Sequence, residues 1–353
     1  MSSLLADRRA QTSGGSLLAS DRLSRRDLVF VGLGSVAFTL ALFALTGFAG
    51  RADFLVVLVL VYAVVQTTTS FAREGRRQAY DRLLTLGIRL AVLAALLPLV
   101  FVLSYTVYRG AQAISLDFLT HSMRGVGPLD AGGGVYHAII GTLETVLLTS
   151  LIAVPFGLLV AIYLAEYGRG RFALTVRFVV DVMTGVPSIV AGLFIYAFWV
   201  IPRGPSGFAA ALALTILMLP IVIRSSEEML KLVPDSLREA SYALGVPRWK
   251  TILRVVLPTA SAGITTGVML AVCRVTGETA PLLLTAQTLD SINTDPFHGR
   301  QSALASYVYD QAASAGDNFV NRAWGAALVL IVVVLVLYVA ARLLSRRNSL
   351  VRS

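Results

Sequence analysis

Twenty-three consecutive residues, Leu28 to Gly50, carry no charge. As a helix they rise about 34 Å at 1.5 Å per residue, enough to cross the ~30 Å apolar core of a bilayer. The run is too long for the core of a signal peptide, and no small-residue cleavage site stands out before Arg51. It reads as a retained spanning helix. Uncharged or nearly uncharged runs recur at Phe54–Ala72, Leu90–Tyr108, Ala138–Ala165, Phe178–Pro202, Gly204–Ile223, Val255–Leu289 and Ala323–Ala341, giving eight candidate spans. Boundaries are least sharp at Asp181 and Arg203. A length of 353 residues would suit two or three soluble domains, but 56% apolar and 14% charged residues exclude them. The expected fold is an all-α integral membrane protein.

The net charge of +10 is a topology signal. Its basic residues lie between apolar runs and form no basic-aromatic surface, so nucleic acid is not an expected partner. Alternate connectors (the N-terminal tail, 72–85, 166–177, 224–257 and 342–353) hold 22 Lys and Arg, against five in the others. Positive charge stays on the cytoplasmic side, so both termini are expected there. The two long outer connectors, 109–137 and 286–320, are rich in Gly, Pro and Asn and read as irregular loops, either solvated linkers or a docking surface.

One cytoplasmic connector is built differently. Pro234 and Asp235 read as a helix entry, with Asp235 and Glu239 suiting the positive end of the dipole. Gly245 and Pro247 read as its stop, Gly for a left-handed cap and Pro because it cannot continue the helix. The implied helix over 235–244 is about 15 Å long, far too short to span. It sits at the membrane surface, where a partner can grip it.

Catalysis is not expected of this chain. Its two lysines, Lys231 and Lys250, do not follow a glycine, so there is no phosphate-binding loop. Neither the scattered His121, His137 and His298 nor the single Cys273 makes a metal-ligand pattern or a disulfide. The ionisable groups inside spans are the informative ones, since each costs at least ~2.5 kcal/mol there. Arg274 and Glu278 stand four apart, on one face if the helix continues, and deep in the bilayer. Such a pair marks either a polar pathway or an ion pair between packed helices. Asp181 and Glu144 read as interfacial, and Arg224 alone as a cytoplasmic anchor. Pro187, in Gly185-Val186-Pro187-Ser188, is expected to kink its span, either lining a path or for packing.

Glu239-Ala240-Ser241, three residues, Gly245, nine residues, Val255, one residue and Leu257-Pro258 resemble the EAA loop of ABC-importer permeases. That pattern has Glu-Ala-Ala and Ile where this chain has Ser241 and Val255. Gly185 to Phe194, Val233 to Glu239 and Arg274 to Leu282 look like the PstA-type permease of the phosphate ABC importer. The likeness covers roughly residues 86–344, a six-helix core. The hairpin of 28–85 stands outside it, as do the tails 1–27 and 345–353. The resemblance implies a PstC-type second permease, an ABC ATPase dimer at the cytoplasmic face that binds the ATP, and an external phosphate-binding protein. It implies no cofactor in this chain, and a multi-pass place in a bacterial inner (plasma) membrane. It further implies that Arg224, Arg274 and Glu278 take part in phosphate passage, with Pro187 on a path-lining span, and that Asp235, Arg238, Glu239, Ala240, Ser241 and Gly245 form the ATPase contact.

Two other functions remain. One is the same machine carrying sulfate or molybdate, because the residues alone do not separate oxyanions. The other is an ion-gradient-driven transporter, which predicts intramembrane acidic or His relays and paired broken helices, and which leaves the EAA-like loop unexplained.

Overall fold

The computed structural model describes residues 23–46, 50–127 and 130–350. The expected tails lie outside it up to residue 22 and from residue 351, as do residues 128–129 of the first outer connector. Among the described residues the chain is helical, with no strand. Seven helices are long and apolar enough to cross a membrane, or up to eight if a bent pair makes one span.

One compact unit ends at Leu103 and a second begins at Ser104. In the first, α1 (Arg25–Thr46) and α2 (Arg51–Glu74) form a hairpin, with the Phe43 and Phe54 rings edge to face at 5.2 Å. Gly75 then turns the chain at φ +92 into α3 (Arg76–Ala113). Glu74 holds that turn. Its buried carboxylate accepts Arg82 Nε and Nη2, Ser70 Oγ and the Leu23 amide, each at 2.6 Å. α3 continues for 38 residues, about 57 Å, well beyond the thickness of an apolar core.

The second unit continues through α4 (Leu116–Thr120), α5 (Tyr136–Tyr167), α6 (Gly170–Thr184), α7 (Ser188–Arg203), α8 (Gly207–Lys231), α9 (Asp235–Ala243), α10 (Arg248–Thr276), α11 (Ala280–Thr285), α12 (Leu304–Ala313) and α13 (Asp317–Leu350). Helix α8 is its centre, with Ala209, Ala210, Ala211, Ala213, Leu214, Met218 and Val222 all buried. Small residues let its neighbours approach, as expected where lipid supplies no hydrophobic drive between helices. A side chain at Gly157 of α5 would strike Val222, at Gly263 of α10 Met229, and at Gly267 of α10 Ser225. Widened helical turns at Tyr196–Val200 and Ile252–Val256 precede Pro202 and Pro258. Proline has no N–H for the carbonyl four residues back, and a local widening accommodates that loss.

Four expectations are corrected. The span expected at Phe178–Pro202 is not a kinked helix: α6 and α7 meet at 103°, with Pro187 in extended backbone (ψ 140) capping α7. Proline also biases Val186 away from helix, so the chain breaks there. The run Val255–Leu289 does not stay helical either. α10 stops at Thr276, Gly277 caps it, and α11 restarts with Pro281 in its first turn, where a missing N–H costs nothing. Third, 286–320 is not all solvated loop. Residues 301–307 are buried, Ser302 exchanges hydrogen bonds with Leu289, and the Leu304 amide donates to Thr142 Oγ1 at 2.7 Å. Nor is Glu144 a free interfacial carboxylate, because Gln301 Nε2 donates to it.

Candidate functional site

The short surface helix forms as its local signals require. α9 spans Asp235–Ala243, with extended Pro234 before it and Gly245 at φ +74 behind it. The Val246 amide reaches back to the Ser241 carbonyl and the Gly245 amide to that of Tyr242, which closes a left-handed cap. Two buried contacts fix α9 to the body. Ser241 Oγ bonds Thr251 Oγ1 at 2.8 Å. Arg238 donates to Glu166 Oε1 at 2.7 and 3.1 Å, to the Leu230 carbonyl at 2.9 Å, to the Val233 carbonyl, and to Asp235 at 3.2 Å. These bonds to Glu166 hold the Arg238 guanidinium above its ordinary pKa. Arg248 adds a hydrogen bond to the Glu166 carbonyl and lies over the Tyr167 ring at 4.7 Å.

With Arg238 and Ser241 turned inward, the rest of α9 faces out. Asp235, Glu239 and Ala240 are exposed, beside Leu237, Tyr242, Leu244 and Trp249. No atom lies within 4 Å of a side chain built at Gly245. The helix is thus anchored on one side and presents a mixed acidic and apolar surface on the other.

A second cluster lies along the last turns of α8. Glu227 is buried and meets Lys231 at 2.7 Å, Arg177 of α6 at 3.1 Å and Arg224 at 3.5 Å. Arg224 also pairs with Asp181. Arg224 is therefore more than a boundary anchor, since it ties α8 to α6. Arg274 lies in the last turn of α10 and Glu278 beyond the Gly277 cap, so they do not share a helical face as expected. Their side chains still approach to 4.0 Å, Arg274 being 68% exposed. The contacts of Gly263 with Met229 and Gly267 with Ser225 set an antiparallel register for α8 and α10. Carried forward, that register puts Arg274 level with Met218, about 16 Å from the start of α8 and so near mid-depth. Arg274 ends an exposed stripe on α10 of Thr259, Ala262, Thr266 and Leu270, turned away from the rest of the chain.

Two segments singled out in the sequence, 185–194 and 274–282, come together. A side chain at Gly192 of α7 would lie 2.8 Å from Pro281 Cα. Pro187 itself caps α7. Glu166 and Glu227 are the important residues that sequence reasoning missed. Glu227 had a signal, its spacing of three from Arg224 and four from Lys231. Glu166 had none, because its partner lies 72 residues away.

Residues 153–350 match the model of a family described as "binding-protein-dependent transport system inner membrane component". The chain belongs to this family. It is a permease subunit, a transport component and not an enzyme. Relatives include "Phosphate transport system permease protein PstA 1" of Mycobacterium tuberculosis (strain CDC 1551 / Oshkosh). That protein is 47% identical over 272 residues, which cover 76% of this chain and 90% of the relative. The PstA protein of Mycobacterium leprae is 48% identical over 262 residues, 73% of this permease and 86% of that one. Among solved structures, a bacterial alginate ABC transporter in complex with its pentasaccharide-bound periplasmic protein superposes with a TM-score of 0.55. It is 16% identical, over 76% of the permease and 96% of that chain, so the likeness shows a shared fold.

Proposed function

We propose that this permease carries inorganic phosphate into the cytoplasm. The similarity that carries the reading is the near-half identity to proteins named as phosphate transport permeases, over most of their length. The site agrees with it chemically. A dianion needs positive charge and a planar donor fork, which Arg274 supplies at mid-depth on a hydroxyl-bearing face. Glu278 nearby keeps the site weak enough to release its cargo. The second cluster, with Arg224, Arg177 and Lys231 around Glu227, keeps positive charge further along α8.

The exposed side of α9 is the surface for an ABC ATPase dimer that binds and hydrolyses the ATP. A PstC-type permease covers the open face of α10, and an external phosphate-binding protein delivers the ion. The basic asymmetry puts both termini in the cytoplasm.

Radiolabelled phosphate uptake tests the substrate in cells that depend on this chain for high-affinity uptake. Deletion is expected to abolish it and to leave sulfate and molybdate uptake unchanged. Loss of sulfate or molybdate uptake with phosphate uptake intact would overturn the assignment.

A further inference from the structure

The N-terminal hairpin, outside the resemblance to phosphate permeases, carries a cavity that neither coupling nor passage uses. A cleft of about 820 Å³ lies between the ends of α2 and α3 near Glu74. One face of α3 lines it with Gln78, Arg82, Thr85 and Arg89, spaced four, three and four apart. Arg77 lines it as well. Its carboxylates are Glu74 and Asp81. Glu74 is committed to Arg82 through two bonds, so among the remaining lining charges Arg77 and Arg89 outnumber Asp81 by one. Opposite them Gln66 is only 8% exposed, and its side-chain oxygen has no hydrogen-bond partner.

The cleft continues into a second space of different chemistry. A groove of about 300 Å³ is lined by Gly32, Val36, Leu58, Val59 and Leu90, and it shares Tyr62 and Leu86 with the polar cleft. The polar part sits at the helix ends beside the basic connector, and the apolar part lies further along the spanning runs. Arg89 stands directly before the apolar run that begins at Leu90, where a headgroup meets the acyl region.

We infer that this hairpin binds an anionic phospholipid with a hydroxylated headgroup, its phosphate against Arg89, a headgroup hydroxyl donating to Gln66 Oε1, Arg77 adding positive charge nearer the helix end, and one acyl chain in the groove between Gly32 and Leu90. Basic pockets between spanning helices recognise lipid headgroups in this way. Free phosphate leaves the groove empty. The chain's own N-terminal tail, with Arg8, Arg9 and Arg22 against Asp7 and Asp21, is net positive, the wrong sign for the arginines, and it brings no acyl chain for the groove. The leaflet occupied is the one on the side of the N-terminus, the inner leaflet under the orientation proposed above.

The test titrates the intact transporter, purified in detergent, with dioleoyl phosphatidylglycerol and follows bound lipid by native mass spectrometry. The parent is expected to retain phosphatidylglycerol and to release phosphatidylcholine. Arg77→Gln with Arg89→Gln should weaken retention about thirtyfold, as expected from two basic residues near a headgroup. Gly32→Leu leaves charge unchanged and extends into open space in the groove, since no atom lies within 4 Å of a Cβ there; it should weaken retention similarly. Arg73→Gln with Arg76→Gln removes the same charge outside the lining and should change little. Equal loss in that control would reduce the effect to general surface attraction and overturn the site. Displacement by inorganic phosphate, equal retention of phosphatidylcholine, or undiminished binding by Gly32→Leu would each overturn it too.

Discussion

Arg238 of α9 and Glu166 at the end of α5 meet at 2.7 Å although 72 residues separate them. The pair is almost enclosed, Arg238 being 14% and Glu166 3% exposed. It joins the surface helix to a spanning helix, so force applied to α9 reaches the membrane part through a short, charged and directional contact. Breaking one side of such a pair typically costs ~3–5 kcal/mol, because the other charge stays buried. Arg238→Gln should lower the unfolding temperature of the purified transporter and expose 232–247 to protease. Adding Glu166→Gln removes the stranded charge but not the lost bonds to the Leu230 and Val233 carbonyls. The double variant is therefore expected to recover stability only in part. Thermal unfolding of both variants checks this, and full recovery in the double variant would contradict the role given to those carbonyls.

Gly245 separates folding from docking. Its backbone is left-handed, so Gly245→Ala is expected to cost ~1–2 kcal/mol. Asn tolerates that region, and there is open space around the site, so Gly245→Asn should preserve the stability of the isolated chain. Gly245→Asp should insert normally but uncouple uptake from ATP hydrolysis, by placing a charge at the ATPase surface. Normal coupled uptake by an inserted Gly245→Asp variant would remove the case for this loop.

Glu227 stands among three cations with its own side chain 1% exposed. Glu227→Gln leaves Arg177, Arg224 and Lys231 around a neutral amide. A loss of about 3 kcal/mol or more is expected, with weaker attachment of α6 to α8. Arg224→Gln removes one cation, leaves two on Glu227, and should be tolerated for assembly while phosphate uptake falls. Comparing thermal stability with uptake for the two variants checks the division. Equal loss of stability in both would make Arg224 purely structural.

Arg274 and Glu278 approach only to 4.0 Å, and Arg274 is mostly exposed, so this pair holds little of the fold together. Arg274→Gln should assemble normally and fail to transport phosphate. Arg274→Gln with Glu278→Gln should fail as well, because the anion still lacks its cation. Uptake by a well-assembled double variant at the parent rate would sink the pathway role of Arg274.

Topology is checked by reporter fusions. Fusions after Arg82 or Arg248 should read cytoplasmic. On the other side, burial of residues 301–307 makes that stretch a poor insertion point, whereas Gly316 lies in an exposed turn at φ +129. A fusion at Gly316 should read external, and a cytoplasmic reading there would overturn the orientation.

Much of this protein was legible without coordinates. Membrane class follows from uncharged runs of spanning length, a one-dimensional property. α9 formed at Asp235–Ala243 against an expected 235–244, and Gly245 took its left-handed cap, because entry and stop signals act within a few residues. Tertiary structure decided what depends on distant partners. Neither the right-angle break at Pro187 nor the end of α10 at Thr276 can be read from hydropathy, since apolar residues lie on both sides of each break and a spanning run of that length could continue as one helix. The contact of Gly192 with Pro281 required the two breaks to face each other. Glu166 and Glu227 became buried ion-pair centres because packing brought Arg238 and Arg177 to them, from 72 and 50 residues away. Apolarity along the chain selects the phase each segment occupies; only close packing, which needs all the helices at once, selects the partner each charge finds there.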